Sequence, residues 1–574
     1  LVRWLKGIII VLALLPSTSF AEGPSDVIER VQAHIAIGDN AAAVREAYEG
    51  TQQYSDDPSL HAAYVRAVAL YAADKEILST WKQYADTFPE MAGDNAILEE
   101  VAWGVIRNGS NASSVVARLS AMVGAVSSSD IRAVGIVIKN MRGANSFLRA
   151  VAVQLSPYLR DKALQEELLW LLDNERDWHV RLAVIEALGA MKVEEVRGRL
   201  KDLLDDTRSM AEVKAQSAEA LSSLVDDAVT AEIYTLVSSD RAVLRMIACR
   251  IALHLGVFDT SIYALLDDKN TDVRAAAITA VGGLTACDDA DIIARLNAKC
   301  DDSDYHVAIT AAWALVRSDN GAVEKLFAPW ISHDKDEVRR FAAAALAATG
   351  RYGVDMAYKA ATTSDDLYVR ANSAYGLIGQ RQHIDVACEA LYALLEGEHG
   401  KIMWRNYGTF NVIMPSAVAH DERIPNYPEV VNQTTRLDIL KVIAMFDEGK
   451  AYKAIQQYLQ EHLWGITGFA ALTLLEEGGD EAIDIVRTLL DDDDGKVRIQ
   501  AALVIALWGK DPSVVSVLHE AYQDADRDLK MTLLEALGTL GSEESVPFLV
   551  DVLDTPFQSM RIVAASALIR CVNH

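Results

Sequence analysis

An aliphatic residue followed by Arg or Lys recurs along this chain at nearly constant spacing, and no other feature limits the fold so narrowly. The pair, or its position, stands at Val180-Arg181, Val213-Lys214, Leu244-Arg245, Val273-Arg274, Val307-Ala308, Val338-Arg339, Val369-Arg370, Val497-Arg498, Leu529-Lys530 and Met560-Arg561. Neighbouring pairs lie 29 to 34 residues apart, and Arg370 to Arg498 spans 498 − 370 = 128 residues, four units of 32. A period of this length marks an array of supersecondary units, each too small to bury a core alone and stable only when stacked.

Within each unit, positions 0, 4, 7 and 8 from the aliphatic anchor are small or branched, as in Val273, Ala277, Ala280 and Val281. That spacing puts them on one helical face, and the small residues let neighbouring helices approach closely. An acidic turn precedes many anchors (Asp205-Asp206, Asp267-Asp268, Asp301-Asp302, Asp365-Asp366, Asp491 to Asp494), placed to cap the following helix and to complement its dipole. The apolar segment before each turn supplies the other helix of a hairpin.

Segments such as DKDEVRRFAAAALAATG (334–350) resemble the HEAT-repeat family over roughly 146–574. The resemblance implies an all-α fold, an α-α superhelix of stacked hairpins whose Val-Arg helices line the concave face. It also implies a structural ladder in which Arg181, Lys214, Arg245, Arg274, Arg339, Arg370, Arg498, Lys530 and Arg561 stack with the acidic turns, with the cation missing at Ala308. Residues 22–145 are helical but off this pattern and resemble tetratricopeptide-like hairpins, an atypical N-terminal cap. The expected order is 1–21, a signal peptide; 22–145, the cap; 146–401, HEAT repeats; 402–435, a degenerate repeat with a protruding Pro- and aromatic-rich loop; and 436–574, further HEAT repeats.

The first 21 residues join Arg3 and Lys6 to an apolar run ending at Pro16, with Ser19 and Ala21 before Glu22, which reads as a secretory signal cleaved after Ala21 and an address in a bacterial periplasm. No other stretch approaches 18 unbroken apolar residues, so no membrane span is expected in the mature chain. The net charge of −28 disfavours nucleic acid and anionic surfaces as partners. Five scattered cysteines without a C-x-x-C read as buried thiols rather than a disulfide framework.

The motifs that carry chemistry are missing. His519-Glu520 is the sole His-Glu pair, and one pair cannot build the di-iron site of the repeat-built deoxyhypusine hydroxylases. The run LDDDDGKVR puts Leu490 and Ala501 where a calcium loop needs a first ligand and a Glu. No G-x-S-x-G, Walker loop or metal-spaced His pair occurs, so neither cofactor nor metal is expected.

What remains is surface. The sixth position after the anchor varies from unit to unit (Thr279, Trp313, Ala344, Tyr375), as an exposed site should. Around it gather Trp313 with Arg317, Phe341 beside Arg340, and Tyr375 with Asn372; the insertion adds Trp404, Tyr407, Phe410 and Tyr427. Aromatic and arginine clusters of this kind serve as binding hot spots. The sequence thus predicts a monomeric, exported, non-catalytic scaffold that binds a protein or peptide. The alternative is a repeat-built enzyme or cofactor-binding protein with its site near residues 404–427.

Overall fold

The computed structural model describes residues 23–206, 208–224, 236–256, 260–284, 289–319, 321–396, 401–416, 435–436, 438–443, 445–446, 480–509 and 511–573. The expected signal peptide, Tyr427 and Cys287 lie outside them. The described residues form helix after helix, as the period demands, interrupted by one two-stranded antiparallel sheet, β1 (Ile402–Asn406) and β2 (Asn411–Pro415). No described helix is long and apolar enough to cross a membrane.

The anchor helices begin where the acidic turns end. Asp177, Asp304 and Asp366 each accept hydrogen bonds from two backbone amides of the helix that follows, and Asn270 accepts one from the Val273 amide. Each cap satisfies donors that the first turn would otherwise leave open. The anchors Val180, Val273, Val307 and Val369 are fully buried, and so are the residues at position 4 (Val184, Ala277, Ala311, Ser373) and position 7 (Ala187, Ala280, Ala314, Gly376). The closest approach falls at a glycine: a Cβ at Gly282 would stand 2.6 Å from Ala314 Cβ, and one at Gly538 would stand 2.8 Å from Ala567 Cα.

Arginines tie successive units together. Arg245 grips Asp268 with two hydrogen bonds (2.6 and 2.9 Å), and Arg274 grips Asp302 likewise (2.9 and 3.0 Å). Each also donates to the carbonyl six residues earlier, Ser239 and Asp268 respectively, and Arg339, Arg498 and Arg561 repeat that bond at His333, Asp492 and Thr555. Planar two-point pairing is what a guanidinium supplies and an ammonium does not. Lys214 and Lys530 accordingly donate to carbonyls, Leu204 O at 2.6 Å and Gln523 O at 3.4 Å, and Lys530 also lies over the Tyr522 ring. Arg370 bonds the Ala361 carbonyl, and Arg181 buries its Nε with no hydrogen-bond partner among the described residues.

The chain forms two compact units, one running from Val137 to Ala521 and the other made of the residues up to Ile136 with those from Tyr522 onward. In the second of these, the last helix, Gln558–Val572, packs against Arg527–Leu540 and also against Asn95–Ser110 and Val115–Ser127. Close contact is again set by glycine: Gly109 faces Ile562, and Ser566 Oγ donates to the Gly124 carbonyl at 3.0 Å. The N-terminal hairpins therefore cover the final repeat.

Cys249, Cys388 and Cys571 are buried and Cys300 half-buried, with no disulfide among them. Burial pushes the Cys249 and Cys571 thiols up to about 12 and Cys300 to about 11, so none is a ready thiolate.

Candidate functional site

Three consecutive anchor helices, Tyr305–Arg317, Asp336–Ala347 and Leu367–Gly379, carry the aromatic stripe, and the hairpin lies on them. The sequence leads one to expect a protruding loop and an exposed patch. The structure corrects both over the described residues: the first part of the insertion, 402–415, folds as β1 and β2, and Trp313, Phe341 and Asn372 are 5%, 1% and 2% exposed. An isolated two-stranded hairpin has too little apolar area to hold itself together in water. Here Ile402, Phe410, Val412, Ile413 and Met414 bury their side chains, Phe410 against the aromatics of the helices.

Phe410 is the wedge. Its ring meets Trp313 edge-to-face at 5.5 Å and Phe341 at 5.5 Å. Tyr407 packs on Phe341 (5.3 Å) and His306 (5.0 Å). Its hydroxyl donates to Glu337 at 2.9 Å, and burial together with that carboxylate pushes the phenol up to about 12. Arg405 lies over the Tyr407 ring and pairs with the same Glu337 at 3.5 Å. At the turn, Thr409 and Thr279 share a hydrogen bond of 2.6 Å, so the sixth position of that unit also touches the hairpin.

Asn372 makes the most specific contact. Its Nδ2 donates to the Ile413 carbonyl and its Oδ1 accepts from the Ile413 amide, both at 2.9 Å, while Nδ2 also donates to Tyr368 O. A side-chain amide here satisfies both backbone groups of a strand residue, as a neighbouring strand would. Tyr375 meets Trp404 edge-to-face at 5.2 Å, and its buried hydroxyl, with no hydrogen-bond partner among the described residues, has its pKa pushed up by burial.

Two arginines of the predicted patch have other work. Arg340 bonds Asp366 at 2.9 Å and lies over the Tyr368 ring, taking the rung beside Arg339, which stands 3.7 Å from the same carboxylate. Arg317 stacks on Trp313, whose Nε1 donates to Ala348 O at 3.0 Å. Between the hairpin and the helices remains a cleft of about 380 Å³, lined by Ala344, Ala348, Asn372, Tyr375, Trp404 and Phe410 among others. The alanines form the gap because bulky Trp313 and Tyr375 occupy the same position in the flanking units.

Among the described residues, no group of three or more His, Cys, Asp or Glu side chains is arranged to hold a metal ion. Arg149 is a rung that the repeat alignment passes over: it pairs with Glu175 at 2.7 and 3.0 Å and bonds the Gly143 carbonyl six residues back. Its signal was Leu148-Arg149, 181 − 149 = 32 residues before Arg181.

The fold and this surface define a helical-repeat solenoid that carries a strand on its anchor helices. Residues 134–222, 259–347 and 488–569 match the family model of HEAT repeats, so these three stretches are HEAT repeats. No curated protein is similar to it. Among solved structures, it is similar to a Kap121p mutant (9% identity, 95% of this chain and 86% of that one, TM-score 0.32). It is likewise similar to Kap95p in its RanGDP-binding structure (10%, 96% and 88%, TM-score 0.35). A third is the myosin chaperone UNC-45 from C. elegans in complex with a Hsp90 peptide (11%, 96% and 85%, TM-score 0.34).

Proposed function

We propose that the chain is an exported, non-catalytic, monomeric scaffold, working in a bacterial periplasm, that binds a protein or peptide partner through the face formed by its anchor helices. The observation that carries this reading is the two-point pairing of Asn372 with Ile413, because the helix row already recognises an extended polypeptide backbone, its own. Repeat surfaces of this kind recruit partners by presenting a long row of side chains rather than a catalytic constellation.

The test is in-cell photo-cross-linking from positions 375 and 404, with the adducts identified by mass spectrometry and the mature N-terminus sequenced. A defined partner captured at both positions and a chain starting at Glu22 are expected. A cytoplasmic, full-length chain would refute export. A metal or organic cofactor bound in stoichiometric amount to the purified protein would replace the scaffold reading with an enzymatic one near residues 404–427.

A further inference from the structure

A second cleft, of about 560 Å³, opens where the arginine ladder loses a carboxylate. It lies within the compact unit that resumes at Tyr522, at the first turns of Arg527–Leu540 and Gln558–Val572. Arg245 and Arg274 each pair with an aspartate six residues ahead of the next ladder position, Asp268 before Arg274 and Asp302 before Ala308. For Lys530 the same place, six residues ahead of Arg561, holds Thr555, and both Lys530 and Thr555 line the cleft. Arg339 also lacks that carboxylate, having Ser364 there, but it stands 3.7 Å from Asp366. Lys530 has no such substitute: its polar contacts among the described residues are the Gln523 carbonyl and the Tyr522 ring, 5.0 Å from Nζ to the centroid.

One helical turn away, Arg527 lines the same cleft. It lies 5.4 Å over the Phe557 ring and donates from Nη2 to Ser559 Oγ at 2.7 Å, and it too meets no carboxylate among the described residues. Of the carboxylates in the lining, Asp554 already has Lys82 at 2.8 Å, which leaves Asp551. Two cations against one unpaired carboxylate make this cleft positive, in a chain whose net charge is −28. Its walls are aromatic. Phe548 meets Tyr522 edge-to-face at 5.2 Å, and Phe557 is 51% exposed, an apolar ring that gains by being covered.

We infer that this cleft binds a small molecule bearing a carboxylate on an aromatic or aliphatic body, the carboxylate completing the rung that Thr555 leaves empty. The anion is a carboxylate because that is what the ladder cations Arg245, Arg274 and Arg561 take elsewhere in the chain. Lys530 and Arg527 would give it charge-assisted hydrogen bonds, the strongest that such a group can receive. The body lies against Phe548 and Phe557. A small molecule suits the volume, which falls in the range of ligand pockets, whereas a folded partner needs a far larger surface. The site is independent of the scaffold reading, since the hairpin and its helices belong to the other compact unit.

The experiment titrates the full chain with phenylpropionate, phenylpropanamide and propionate, followed by ligand-observed NMR. Saturable binding of phenylpropionate is expected, with the uncharged amide and the ringless acid each about tenfold weaker. Lys530→Met and Arg527→Met should each weaken the acid about tenfold and leave the amide unchanged, at unaltered helix content by circular dichroism. Lys530→Met decides alone if Arg527→Met does not fold. No saturable binding, equal binding of acid and amide, or full binding by Lys530→Met overturns the proposal. A blocked peptide with a free C-terminal phenylalanine that binds far more tightly than phenylpropionate would make a protein C-terminus the occupant and overturn the small-molecule assignment; tighter binding of phenyl phosphate would overturn the carboxylate. None of these outcomes bears on photo-cross-linking from positions 375 and 404, so the scaffold reading stands or falls separately.

Discussion

Arg561 and Asp74, 487 residues apart in sequence, form a two-point ion pair at 3.0 and 2.9 Å. Arg561 also bonds Thr555 O, so it sits in the last repeat as Arg274 sits in its own, with the N-terminal segment supplying the carboxylate that the next repeat would have supplied. Both side chains are largely buried, and removing one partner strands the other. Arg561→Ala or Asp74→Ala should each destabilise the chain by about 3 kcal/mol, and the double variant by less than the sum. Urea unfolding of the four proteins gives the coupling; additive effects would show that the pair does not hold the two segments together.

The internal rungs should make stability sensitive to acid. Burial alone would raise the pKa of Asp268 and Asp302, but Arg245 and Arg274 with the amides of Asn270 and Asp304 outweigh it, and both carboxyls titrate below the ordinary range. A carboxylate depressed in the folded state contributes stability that is fully present above its unfolded pKa of about 3.9 and is lost as pH falls through the folded value. Unfolding free energy should therefore drop steeply below about pH 4. In an Arg245→Met, Arg274→Met variant that drop should be shallower, as followed by circular dichroism in urea at stepped pH.

Gly282 should tolerate no side chain. Its added Cβ would meet Ala314 Cβ at 2.6 Å and a ring carbon of Trp313 at 2.8 Å, inside a close-packed interface. Gly282→Ala is expected to cost about 1 to 3 kcal/mol despite its better helix propensity. A thermal melt showing no loss would mean that the neighbouring helices separate more easily than their packing implies.

Asn372→Leu keeps the volume but leaves the amide and carbonyl of Ile413 unpaired in a buried place. The expected cost is about 2 to 3 kcal/mol, borne by the hairpin rather than by the helices. Limited proteolysis should then cut between 401 and 416 faster than in the parent protein, at unchanged helix content. Phe410→Ala should have the same local effect, at about 3 to 5 kcal/mol, by emptying the space between Trp313 and Phe341.

The helical repeat could be read directly, because burial and capping leave a mark in every unit and recurrence separates that mark from chance. The site was legible in its residues and not in its geometry. Trp313 and Tyr375 stood out at the variable sixth position, Phe341 beside Arg340, and Trp404 and Phe410 in the insertion, yet sequence offered no way to tell that the last two cover the first three. The clue was local and short: IMWRN and NVIMP flank a turn whose Gly408 sits at φ +82°, where a left-handed residue suits a tight hairpin. Five-residue strands inside an irregular insertion carry too little alternation to outweigh the surrounding helical period. Arg561 and Asp74 escaped for a different reason, since residues 22–145 do not share the repeat that would have aligned them.

The cover that the N-terminal hairpins place on the last repeat has a consequence for how the chain comes into being. The faces of Asn95–Ser110 and Val115–Ser127 that Gly109 and Gly124 present to Ile562 and Ser566 find their partners only after residue 572 has been made. At a synthesis rate of roughly 5 to 20 residues per second, those faces wait on the order of 20 to 90 seconds. Through that interval the chain depends on whatever shields its beginning until its end arrives.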